Sequence, residues 1–286
     1  MRIIEQNVVE ISRQSPLYPA VWTAFSDAPD KLYAIGNTSL LQTRKLVVVG
    51  SRRTPVSALK LGVEICAQLS QAFTLCTGSA DGGDMAAIQG GLKTGKIICL
   101  LPGGFGALPQ SALTQLEQVA EKGLLLSPHP HDTPVRSFSY SYRNKLLAAL
   151  GEGTFVLGAP EKSGALITAN YAQKLGKQLF ALPYAPNTSA GEGCNALIKQ
   201  GAHLTETAED ILSVFGVKAE TQTAAVAQLS ETESKLLAAL KDSAEAHVNE
   251  LVAQTGIPVF KIRAVLSALE VKGLVVALGG NRYAPV

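Results

Sequence analysis

The sequence predicts an α/β fold, a doubly wound parallel sheet followed by a small winged-helix domain. Three observations predict it. Six short apolar runs, each ending in Gly, Ser or Pro, recur between residues 46 and 186, and segments of helical period separate them. After residue 216 the composition turns small and polar, and then a compact stretch of three helical segments ends in a Gly-Gly-Asn turn. Continuous apolar runs suit strands buried on both faces, and strand–helix alternation at this spacing builds a parallel sheet.

The elements follow in order. Residues 1–45, with YPAVWTAFSDAPDKLYAIGN, mix aromatics, prolines and turn residues and read as a lead-in of short helices packed on the main domain. The strands are LVVVGS (46–51), AFTLCTGS (72–79), KIICLLPGG (96–104), GLLLSPHP (123–130), GTFVLGAP (153–160) and QLFALPYAP (178–186). Helices are expected at Ser57–Gln71, Asp84–Leu92, Ser111–Glu121, Asn144–Leu150, Ser163–Leu175 and Gly193–Gln200. The main domain thus spans 46–216, a linker 217–229, and the winged helix 230–286. In the last, Ser230 and Glu233 make a capping box, Gly256 closes the second helix, Pro258 opens the third, and Gly279-Gly280-Asn281 turns a hairpin.

The totals bound the function. Of 286 residues, 47% are hydrophobic and 17% charged, which supports a sizeable core and excludes global disorder. No apolar stretch approaches the roughly 20 residues of a membrane span, and the N-terminus lacks the apolar region of a signal peptide, so no membrane role and a cytoplasmic location are expected. Cys66, Cys76, Cys99 and Cys194 are widely spaced, as buried hydrophobes are, without a C-x-x-C pair. Net charge is +2, so any nucleic-acid affinity must come from a local cluster of cations.

An open parallel sheet binds ligands beyond the carboxyl ends of its strands, where the Gly/Ser-rich turns fall. After the first run, Gly50-Ser51-Arg52-Arg53 offers backbone N–H groups and two guanidinium forks to a phosphate, or is an exposed basic turn. It lacks the Lys-Ser/Thr ending of a P-loop and is not G-x-G-x-x-G. After the second, Thr77-Gly78-Ser79-Ala80-Asp81-Gly82-Gly83-Asp84 permits close backbone approach to an anion, with Asp84 capping the next helix. Leu101-Pro102-Gly103-Gly104-Phe105-Gly106 reads as another phosphate- or sugar-facing turn. In Arg136-Ser137-Phe138-Ser139-Tyr140-Ser141-Tyr142-Arg143-Asn144-Lys145, three aromatics alternate with small polar residues between cations. In extended chain this alternation puts Phe138, Tyr140 and Tyr142 on one side, a stacking strip for single-stranded nucleic acid; the same pattern also suits aromatics turned to the core. Lys162-Ser163-Gly164 opens a helix and makes a further anion seat, and Asn195 reads as a helix cap. No catalytic set assembles, and His129-x-His131 is the one spacing that suggests a metal, without further ligands.

Taken in order, YP and PDKLYAIG in the lead-in, VVGSRR, TGSADGGD, GLLLSPHP, YRNKLLAAL, SGALITANYAQKLGKQLFALP and GCNALIKQGAHL resemble the DprA/Smf family of DNA-processing proteins over roughly Ser15–Thr205. The resemblance implies an extended Rossmann-like domain that binds single-stranded DNA without enzymatic activity or cofactor. It implies dimers, and help in loading a RecA-type recombinase in natural transformation. The winged helix fits many members of the family; a preceding sterile-alpha-motif-like domain is not expected here. The DNA-contacting residues it implies are Arg52, Gly78 and Ser79, the base-stacking Tyr140, Arg143, Asn144, Lys145 and Ser163-Gly164; the residue pattern itself adds Ser51, Arg53, Arg136 and Phe138 to the expected DNA-binding set. Two turns depart from the pattern: TGSADGGD has no Ile before its acid, and PGGFG is closer to the PGGxGT turn of the related LOG-type nucleotide hydrolases. The glutamate those hydrolases use is replaced by Pro109 and Gln110, which leaves nucleotide binding, nucleoside-monophosphate hydrolysis or nucleotide sensing as the alternative.

Overall fold

Strand residues sort onto two faces in the computed structural model, which describes residues 7–108, 113–217, 229–243, 245–271 and 274–285. In β3 (Lys45–Val49), Val47 and Val49 enter one core while Leu46 and Val48 enter the other. Both faces are covered, which is why the run is continuously apolar. The first core holds the apolar sides of α4 (Ser137–Leu150), α5 (Gly164–Lys174) and α6 (Glu192–Lys199) together with the lead-in. The second holds α1 (Val56–Ala72), α2 (Gly83–Gly91), α3 (Leu113–Lys122) and α7 (Ala208–Val214).

The remaining strands of this sheet are β1 (Val9–Ser12), β2 (Lys31–Gly36), β4 (Thr74–Thr77), β5 (Ile97–Leu100), β6 (Leu124–Ser127), β7 (Gly153–Val156), β8 (Gln178–Ala181) and β9 (His203–Leu204). Their order is β1-β2-β6-β5-β4-β3-β7-β8-β9. From β6 to β9 all pairings are parallel. The parallel part starts at β3, winds out through β4, β5 and β6, and returns to lay β7 on the other side of β3. That reversal is the topological switch point, beyond which the loops after β3 and β7 part and leave a crevice.

Two expectations need correction here. The lead-in is not merely short helices: β1 and β2 extend the sheet as an antiparallel edge on β6, so the sheet is mixed, though mostly parallel. Two short 3-10 turns, Ala20–Trp22 and Thr38–Gln42, complete it. The lead-in is anchored by Trp22, fully buried, whose Nε1–H donates to the Leu146 carbonyl at 2.8 Å. Nor is the segment before Asn144 extended. It is the first two turns of α4, where the Arg136 N–H donates to Ser139 Oγ at 3.1 Å.

The chain divides into two compact units, 1–219 and 220–286. Most of the 217–229 linker lies outside the described residues, as do Pro109, Gln110 and Ser111. In the second unit α8 (Glu231–Ser243), α9 (Val248–Thr255) and α10 (Val259–Val271) pack around Leu236, Leu240, Leu251, Ile262, Leu266 and Leu269. The short β10 (Ala246–His247) and the hairpin of β11 (Val275–Gly279) and β12 (Arg282–Pro285) complete a three-stranded sheet. The Ser230 N–H donates to Glu233 at 2.8 Å, closing the capping box, and Gly256 ends α9 at φ +69°. Gly279, Gly280 and Asn281 all have positive φ, which the tight turn requires. Among the described residues no single helix is long and apolar enough to cross a membrane.

Candidate nucleic-acid interface

At the switch point lies a cleft of about 930 Å³. One wall is the turn after β3, with Ser51, Arg52 and Arg53; another is the loop and helix start after β7, with Lys162, Ser163 and Gly164. Ser79 and Asp81 line it from the turn after β4, and Tyr140, Arg143 and Asn144 from α4. Arg52, Arg53 and Lys162 are exposed, and none has an acidic partner among the described residues. Ser163 caps α5, its hydroxyl accepting from the Ala165 N–H at 3.3 Å, so the positive end of an eleven-residue helix opens here.

The helical phase of α4 decides which residues of its basic, aromatic block reach the cleft. Positions i, i+3 and i+4 share a face. Tyr140, Arg143 and Asn144 therefore point together into the cleft, while Phe138, Tyr142 and Lys145 do not. Tyr142 donates from its hydroxyl to the Asp27 carbonyl at 2.7 Å, and burial pushes that hydroxyl up to about 12. Lys145 pairs with Asp27 and stands 4.6 Å from the centre of the Phe25 ring. Phe138 is 65% exposed and lies outside the cleft, as do Arg136 and Lys145. The expected three-ring strip is thus corrected to one ring, Tyr140, about half exposed.

Arg143 is corrected as well. It does not flank an aromatic strip as an open cation but is buried, 3.7 Å from Asp84 Oδ2. Asp84 is no helix cap: it sits in the first turn of α2, buried, and accepts from the Ala80 N–H at 3.2 Å. Burial raises the Asp84 carboxyl above its usual range, against the opposing pull of Arg143. Gly78 does not line the cleft; a Cβ there would overlap Arg143 Nη1. Similarly, Gly83 faces the Gly50 backbone so closely that a Cβ would meet Gly50 Cα. The glycines of TGSADGGD therefore let two turns and a buried ion pair pack together, and approach by an anion is not what demands them.

The Pro102-Gly103-Gly104 turn forms a cleft wall, and two amides of the stretch are bonded to the 130–135 loop. The Gly104 N–H donates to Thr133 O and the Gly106 N–H to His131 O, both at 2.9 Å. These glycines seat the 130–135 loop: a Cβ at Gly104 would meet the Pro130 and His131 carbonyls, and one at Gly103 the Val135 side chain. Asn195 is also no cap; within α6 it holds both backbone groups of Tyr184, accepting at 3.0 Å and donating at 2.9 Å. Among the described residues no group of three or more His, Cys, Asp or Glu could hold a metal. All four cysteines are buried free thiols, and burial raises each of them. Sequence reasoning left Lys162 out of the binding set, although it directly precedes the Ser-Gly helix start; that position was the available signal.

Residues 10–216 match the family model described as DNA recombination-mediator protein A, and residues 220–281 match the DprA winged helix domain. The chain is 33% identical over 214 residues to DNA processing protein DprA of Bacillus subtilis, covering 72% of this chain and 71% of that one. With the putative DNA processing protein DprA of Mycobacterium tuberculosis it shares 30% identity over 258 residues, 86% of this chain and 66% of the other. The solved structure of DprA from Streptococcus pneumoniae is similar at a TM-score of 0.69 and 30% identity, covering 73% of this chain and 74% of that one. A Helicobacter pylori DprA structure, described as giving insight into that protein's single-stranded DNA binding mode, is similar at 0.68 and 27%, covering 75% and 98%.

Proposed function

Because this chain belongs to the DNA recombination-mediator protein A family, also called DprA and Smf, a family of DNA-binding proteins rather than enzymes, we propose that its switch-point cleft binds single-stranded DNA. The observation that carries the proposal is the set of three exposed cations (Arg52, Arg53 and Lys162), without acidic partners among the described residues, ringing a cleft into which Tyr140 projects. Cations track the backbone and an aromatic face takes a base, which is the combination single strands need. The α5 N-terminus adds backbone donors for a phosphate. The likeness to a relative whose structure concerns single-stranded DNA supports the same reading. In its finer form the chain works as a homodimer that shields the strand and hands it to a RecA-type recombinase; the family resemblance supports that part.

Fluorescence anisotropy with a labelled oligothymidylate and a matching duplex, across a salt series, tests the proposal. Single-strand binding with little sequence preference is expected, log K falling by about 0.7 per log unit of salt for each phosphate neutralised. Binding of neither DNA form would sink it.

A further inference from the structure

Two charged side chains at the floor of the cleft are provided for very unequally. Asp84 accepts a hydrogen bond from Ala80 N–H. Arg143, its side chain 5% exposed, finds no hydrogen-bond acceptor among the described residues, and its Nε is buried without a partner. A guanidinium carries five N–H donors, and leaving them unmet when buried is costly. Its one anionic neighbour, Asp84 Oδ2, stands at 3.7 Å, within ion-pair range but beyond hydrogen-bond length. The fold nonetheless makes room for this loose pair, since any side chain at Gly78 would overlap Arg143. Both charged residues line the cleft, beside Asn144 and the N-terminus of α5.

Resting on the single-stranded DNA reading above, we propose that Asp84 is the internal counter-anion of the cleft: it holds Arg143 in place of a strand phosphate, and a bound strand competes with it for that guanidinium. A phosphate brings the acceptors that Arg143 lacks, in the bidentate geometry a guanidinium prefers. Meanwhile the Asp84 charge cancels most of the attraction Arg143 would exert, so the empty cleft is less basic than its residues suggest. The groups facing Asp84 are Arg143 from α4, the Thr77 hydroxyl and Cys99 thiol at the strand ends, and the amides of Gly50 and Ala80. Burial keeps the Cys99 thiol protonated, which leaves Asp84 as the group that titrates. A phosphate beside it favours its protonated form, so binding takes up a proton and tightens as the pH falls.

The test is oligothymidylate anisotropy over a salt series with wild type, Asp84→Asn, Arg143→Gln and the double variant. Asp84→Asn frees one cation. It is expected to bind about fivefold tighter at 0.1 M salt, with a slope steeper by about 0.7 and the gain vanishing toward 1 M. The gain should disappear when Arg143→Gln is added. Binding by Asp84→Asn equal to or weaker than wild type would overturn the proposal, because Asp84 would then be neutral already or merely a prop for Arg143. If wild type binds and Arg52→Ala weakens it while Asp84→Asn changes nothing, this inference fails and the cleft reading stands. A wild type that binds no single strand removes both. Circular dichroism checks that the variants fold. Should Asp84→Asn not fold, titration calorimetry of wild type in two buffers of different ionisation enthalpy reads the proton directly. It is repeated in His131→Asn, since His131 lies behind the Gly104–Gly106 turn. Uptake is expected in both proteins, and zero uptake in both would overturn the proposal.

Discussion

The turn after β3 and the middle of α4 each carry two cations within three residues, and they differ in what faces them. Arg52 and Arg53 project from a turn with no acidic partner among the described residues. Across the cleft, Arg143 is matched by Asp84, and Lys145, on the opposite face of α4, is matched by Asp27. By composition the two segments are equally basic. By available field they are not: the first turn presents both charges to the cleft, the helix presents one that is largely cancelled. The winged helix repeats the second case, since Arg282 stands 3.1 Å from Glu245 and 3.9 Å from Glu250. A count of Lys and Arg therefore says little about phosphate binding until their counter-charges are placed.

The sharpest way to break this comparison is to remove the uncancelled pair. Arg52→Ala with Arg53→Ala is expected to lower oligothymidylate affinity about 25-fold at 0.1 M salt, and to flatten the salt slope by about 1.4, the value for two lost phosphate contacts. Thermal stability should hardly move, because neither guanidinium is buried or bonded among the described residues. An unchanged slope would mean that these charges face solvent only, and the contrast with α4 would collapse.

How much of this was legible in the sequence depends on what each segment had to satisfy. The parallel strands were plain because both faces are covered, so β4, β5, β6 and β7 are each buried at every position. β1 and β2 were missed for the opposite reason. VEIS and KLYAIG lie at the sheet edge with exposed residues among the buried ones, and no long apolar run marks them. α7 is seven residues long, too short for its period to stand out. The misreading of SFSYSY has a different origin. Alternation by two is a strand signal, but it also places positions 138 and 142 on one side of a helix and 140 on the other. The helix propagates back from LLAAL and is stopped at Arg136, and tertiary fit to the lead-in settles the ambiguity. The cleft residues of the first turn and of the α5 start were readable because turn chemistry is local. The pairing of Arg143 with Asp84 was not, since it joins positions far apart in sequence.

The aromatic pair on α4 sharpens the comparison at a smaller scale. Tyr140 lines the cleft and Phe138, two residues earlier and more exposed, does not. Tyr140→Ala is expected to cost about 1 kcal/mol of single-strand binding, the low end for a stacked base, because only about half of the ring is open. Phe138→Ala should leave binding unchanged in the same titration. Equal losses would restore the extended three-ring strip and contradict the helical phase.

Lys145→Ala is the smallest expected effect and the strictest control. Its ammonium is held by the Asp27 carboxylate, which it keeps below the usual carboxylate range, and by the face of Phe25. Asp27 is well exposed, so the pair is screened and contributes less than about 0.5 kcal/mol to stability. The sign of its pH dependence is fixed: Asp27 is lowered in the folded state, so the contribution is present above the carboxylate range and fades as the pH falls through the folded value. Removing Lys145 should thus shift the unfolding midpoint slightly near neutral pH, lose even that shift in acid, and leave the salt slope of DNA binding intact. A flattened slope in Lys145→Ala would show that the lysine leaves Asp27 for a phosphate, and that a cation paired in the free protein can still be drawn to the strand.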